Sequence, residues 1–189
     1  MSKLALRALT LGAVIALLGV GSYAIAGGGT KNFSGDPLIG YEENPDVSTV
    51  ASGSFDARLS NDGDSIHYKL SYSGLEGTVT QSHVHFGKTA INGGISFWLC
   101  ETATNPSPSA STPTCPAPSG TVEGDIEALE VIGPAGQGIE AGNLAEILAA
   151  MRAGHAYANV HSTKWPGGEI RAQLNNRRGD HDNDEEDDD

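Results

Sequence analysis

The strongest constraint on this chain is a period of two. Phe55, Ala57 and Leu59 alternate with Ser54, Asp56 and Arg58. Beyond Ser60-Asn61-Asp62-Gly63-Asp64, a stretch of turn composition, Ile66, Tyr68, Leu70 and Tyr72 alternate with His67, Lys69 and Ser71. Successive side chains on a strand point to opposite faces, so each segment has a dry face and a wet one. The pair therefore predicts an antiparallel hairpin. Further strands are expected over 78–86, 94–100, 120–131, 155–162 and 168–174. Short strands separated by Gly-, Asn- and Asp-rich turns predict an all-β fold, an antiparallel, Greek-key-like β-sandwich. One short helix interrupts them. Leu144, Ile147, Leu148 and Met151 recur at helical spacing, with Asn143 as N-cap, Glu146 three residues on and Gly154 at the end. Its apolar stripe is expected to pack on the sandwich.

The ends of the chain read differently. Lys3 and Arg7 precede a short apolar stretch from Leu9 to Val20, and Ala24-Ile25-Ala26 offers small residues for cleavage. Residues 1–26 are thus expected to be a secretory signal peptide, which makes the mature protein secreted or periplasmic with no stable membrane insertion. Residues 27–35 read as a flexible linker, 36–174 as the folded domain and 175–189 as a disordered acidic tail. Eight of the acids lie in 180–189, and the whole chain has 24 acidic against 11 basic residues. Such a balance argues against nucleic acid as a partner. In an oxidising compartment the only two cysteines, Cys100 and Cys115, are expected to form a disulfide around the Pro- and Ser-rich stretch 105–113.

Chemistry gathers in two segments. Ser82-His83-Val84-His85-Phe86-Gly87 puts two imidazoles on one strand face. His155, Tyr157, Asn159 and His161 make a second polar row, followed by Gly168-Glu169-Ile170-Arg171-Ala172-Gln173-Leu174. With Ser52–Leu59 and Tyr68–Leu75, these stretches resemble the CHRD domain, a module of chordin that also occurs alone in bacterial secreted proteins. The resemblance spans 36–174 and implies an extracellular protein with protein interaction in its repertoire. The H-V-H stretch is also similar to the copper-binding segment of Cu,Zn superoxide dismutases. That likeness would make His83 and His85 a copper pair and His161 a third ligand, although no zinc loop follows His85.

Two readings of the rows stand side by side. In one, His83, His85 and His161, with His155 as fourth ligand, hold a metal; the affinity order puts copper first and zinc second. In the other, the histidines join Asn159, Glu169 and Arg171 in a buried structural polar network. No nucleophile elbow, P-loop, H-E-x-x-H or dinucleotide fingerprint is present. The expected function is therefore a non-catalytic binding module for an extracellular or envelope protein, a metal ion, or both. A copper-binding redox protein is the alternative. Trp98 is expected in the core, and Trp165 is expected to anchor a loop.

Overall fold

The computed structural model describes residues 29–177. The expected signal peptide and the tail beyond 177 lie outside the described residues. Among the described residues nine strands form one antiparallel sheet: β1 (Asn32–Ile39), β2 (Ser52–Leu59), β3 (Ile66–Ser73), β4 (Val79–Phe86), β5 (Gly94–Cys100), β6 (Gly120–Ile126), β7 (Ala156–Ser162), β8 (Ile170–Gln173) and β9 (Asn175–Arg177). Their order is β5-β4-β7-β8-β1-β2-β3-β6, with β9 added on β1. The sheet curls until its two ends meet. Across that gap the Tyr68 hydroxyl donates to the Leu99 carbonyl at 2.6 Å. The two layers of the expected sandwich are thus the halves of one nearly closed sheet, and the β4–β7 and β8–β1 neighbours supply its crossovers.

The predicted hairpin is β2 and β3, paired from Ser52↔Ser73 to Leu59↔Ile66. Its dry faces meet in the core, where Phe33, Leu38, Phe55, Tyr68, Leu70, Phe97 and Leu99 are almost fully buried. Burying each such side chain is worth about 1.5–3 kcal/mol over leaving it in water. The helix α1 (Leu144–Arg152) follows its sequence signals. Asn143 Oδ1 accepts the Glu146 amide at 3.3 Å, and Leu144, Ile147, Leu148 and Met151 face the core. Gly154 ends it at φ +71°, a left-handed turn that a side chain would strain.

The sheet reaches past the expected domain bounds. β1 begins at Asn32, inside the expected linker, and β9 lies beyond 174. Gly35-Asp36-Pro37 breaks the alternation because the register shifts there, between Gly35 and Leu38. A proline fits a strand at such a bulge, where no ladder donor is needed. The strand expected over 120–131 stops at Ile126, and 128–130 form a single 3-10 turn. No helix among the described residues is long and apolar enough to cross a membrane.

Cys100 and Cys115 are bonded, as the sequence predicts. The bond ties the end of β5 to the segment that leads into β6. Constraining an unfolded loop of about 15 residues contributes about 3 kcal/mol in the chain-entropy model. Reduction is therefore expected to lower the melting temperature without abolishing the fold. An unchanged melting temperature, with both thiols shown free by a thiol-reactive dye, would contradict this.

Candidate metal centre

The site is assembled by register. β4 and β7 pair with His83↔Asn159, His85↔Tyr157 and Gln81↔His161. Val84, Ala158 and Val160 point into the core, so the period of two sends His83, His85, Asn159 and His161 to the other face. β5 places Trp98 beside His83, and β8 places Arg171 beside Asn159. One row of the sheet therefore reads Trp98, His83, Asn159, Arg171.

This outer face is not wet. The loops after β4, β1 and β7 fold over it and make a second, polar interior. His83, His85, His161, Asn159 and Arg171 are only 1%, 8%, 6%, 2% and 1% exposed. His85 Nδ1 lies 3.0 Å from the Gly93 carbonyl, and His161 Nδ1 lies 2.9 Å from the Pro166 carbonyl. Both Nε2 atoms point to Asn159 Oδ1, each at 3.1 Å. Among the described residues His83 has no hydrogen-bond partner at either nitrogen, and its ring lies edge-on to Trp98 at 4.3 Å between centroids. One donor nitrogen from each of His83, His85 and His161 falls within 4.8 Å of the others.

The surroundings hold these rings neutral. Burial pulls His83 down to about 2, helped by the neighbouring His161 and His85. Burial also pulls His85 down to about 4, against the pull of the Gly93 carbonyl, and it lowers His161. Tyr157 stacks flat on His85 at 4.7 Å, and the Arg171 guanidinium lies 3.3 Å from the Tyr157 ring centre. Arg171 Nη2 donates to the Lys88 and Ile91 carbonyls at 3.1 Å each, which pins the loop carrying Gly93. Burial raises the Glu43 carboxyl to about 7, although Arg171 and a hydrogen bond from Asn159 pull it down. Gly168, at φ +129°, lies so close to Glu43 that any Cβ there would collide with the carboxylate.

The structure thus brings together three of the four expected metal ligands. His155 is excluded: it is exposed and precedes the first residue of β7. Six residues of strand separate it from His161, or about 20 Å. Shared parity puts the two on one face without bringing them near. Of the expected polar network, Asn159 and Arg171 lie beside the histidines. Glu169 does not join them; its Oε1 accepts from Thr49 Oγ1 at 2.9 Å and from the Glu76 amide at 2.7 Å. Trp98 is half-buried on the polar face rather than in the core, because it stands opposite His83. Trp165 does anchor its loop, through Nε1 to Glu76 Oε2 at 3.0 Å. Sequence reasoning missed Glu43. It lies in a short irregular stretch with no periodicity, beside a second glutamate, so nothing local marks it as buried.

These atoms can act as a set of neutral nitrogen donors in a dry pocket. The two rings that contact carbonyls through Nδ1 have the outer contacts typical of metal-bound histidines, which fix the tautomer and the ring plane. Four-coordinate copper or zinc holds its nitrogens about 2.0–2.1 Å away, hence about 3.3 Å apart. The rings would close on an ion by about 1 Å, and His83 has no hydrogen bond to resist that. Neither a curated protein nor a solved structure matches the chain. A family model described as CHRD domain matches residues 36–174. The stretches that carry the histidines, the Asn159 row and the closing Glu169–Leu174 segment all fall inside that match, and the chain belongs to the CHRD domain family.

Proposed function

We propose that this chain is an exported, non-catalytic binding module whose domain carries a metal ion, copper first and zinc second, on His83, His85 and His161. The observation behind this reading is the buried cluster itself, with both nitrogens of His83 unpartnered. A buried polar atom left without a partner costs about 1–3 kcal/mol, and a metal ion would take up the lone pair. Histidine-only donor sets suit copper and zinc, and copper stands higher in the affinity order. Export rests on the amino-terminal signal read from the sequence, and an envelope or extracellular protein is the partner that such a module would serve.

The test is metal analysis of the protein purified from its export compartment, with copper(II) titration of wild type and His83→Ala/His85→Ala. Stoichiometric metal that the double variant fails to hold supports the reading. A wild-type protein that refuses copper and zinc, and a double variant that melts early, would make the histidines structural.

A further inference from the structure

The hydrogen bonds around Asn159 do not balance. His85 and His161 each present one nitrogen to a backbone carbonyl and the other to Asn159 Oδ1. A neutral imidazole carries a single N–H. These four contacts, each made to an oxygen acceptor, therefore share two protons. Whichever tautomers are chosen, two contacts set lone pair against lone pair. With the carbonyls taking the Nδ1 protons, both Nε2 atoms are bare and face a bare amide oxygen. Turning the Asn159 amide over would let its nitrogen serve both rings. It would also turn Oδ1 toward the Glu43 carboxyl, which the Asn159 amide now meets as a donor.

A cation between the three atoms removes the conflict. Two donor atoms about 2.1 Å from one ion, at angles between a right angle and tetrahedral, stand about 3.0–3.4 Å apart. Asn159 Oδ1 stands at 3.1 Å from both Nε2 atoms. Resting on the metal reading above, we infer that Asn159 is itself a ligand. Its Oδ1 completes, with one nitrogen each from His83, His85 and His161, a closed four-coordinate site of three nitrogens and one oxygen for a divalent ion of the copper and zinc kind. Glu43 holds the amide nitrogen and so aims the oxygen inward. With all four positions taken by protein, the site stores or carries its ion and leaves no place for a substrate.

The test titrates copper(II) and zinc(II) into wild type, Asn159→Ala and Asn159→Asp/Glu43→Gln. The double variant keeps an oxygen at the ligand position and one donor–acceptor pair across the Glu43 contact, with the roles exchanged. Asn159→Ala is expected to lose more than about 100-fold in affinity, beyond the 10–100-fold typical of a residue that only orients a ligand. The double variant is expected to stay within about tenfold of wild type. In the cobalt(II)-loaded proteins, Asn159→Ala should show a changed visible d–d band as water enters the fourth position, and the double variant should keep a four-coordinate band. Tight binding by wild type and Asn159→Ala alike overturns the ligand role alone. Equal losses in both variants reduce Asn159 to a positioning residue and also overturn it. A wild type that binds neither metal overturns the metal reading beneath it. Should Asn159→Ala fail to fold, wild type labelled at asparagine side-chain carbons serves instead: a paramagnetically shifted carbonyl with cobalt(II) supports ligation, and an unshifted one rejects it.

Discussion

Replacing Arg171 by alanine is expected to destabilise the domain by about 3 kcal/mol or more, since it removes two hydrogen bonds from a charged donor, each contributing about 1.5–3 kcal/mol. Arg171 is 1% exposed, its charge favours ionisation of Glu43, and its guanidinium covers Tyr157 and donates to the Lys88 and Ile91 carbonyls. Alanine would leave two loop carbonyls without a donor, uncover the Tyr157 ring and take away the positive charge that favours ionisation of Glu43. Because Arg171 also favours ionisation of Glu43, Arg171→Met with Glu43→Gln should recover the electrostatic part of the loss. Urea denaturation of the two single variants and the double measures this. A double variant as unstable as the sum of the singles would show that Arg171 and Glu43 act independently.

The metal-free domain is expected to lose about 3 kcal/mol of stability between pH 7 and pH 4. His83 and His85 have folded values of about 2 and 4, below their ordinary 6.5. Below pH 6.5 the unfolded chain takes up protons that the folded one refuses, so each ring removes about 3 kcal/mol by pH 4. Glu43 works in the other direction. Its folded value of about 7 exceeds its ordinary 4.5, so acidification through that window returns about 3 kcal/mol. Two rings outweigh one carboxyl, and the depressed His161 adds to the loss. Denaturation at pH 7.5, 5.5 and 4 in a chelator reads the slope, and Glu43→Gln should steepen it. Stability that holds or rises down to pH 4 would mean that the rings charge freely in the folded protein.

Alternation made much of this architecture legible. β2 and β3 have one buried face each, and their pattern shows in single residues such as Phe55 and Leu70. β1 was hidden because Gly35-Asp36-Pro37 has the composition of a turn, and only the tertiary register reveals it as a bulge. His83, His85 and Asn159 could be read as one face, since parity along a strand is local information. Whether His155 or His161 approached them was not local; it depended on how far β7 slides along β4. Glu43 was out of reach for a similar reason: its burial is decided by Gly168 and Arg171, more than 120 residues away. What covers a face is set by loops, and loops carry no period.

The join between β5 and β6 bears on how the molecule keeps to itself. An open sheet has two borders, each a row of unsatisfied amides and carbonyls that can recruit another chain. Here the two borders confront each other, and the space between them is filled from within. The Ile132 amide donates to the Ser96 carbonyl on β5 at 2.8 Å. The Cys115 amide reaches the Glu101 carbonyl at 2.8 Å, and the Cys100–Cys115 bond holds that seam shut. The disulfide thus braces the covering of the two sheet borders as well as the chain between β5 and β6, and its reduction is expected to loosen that cover.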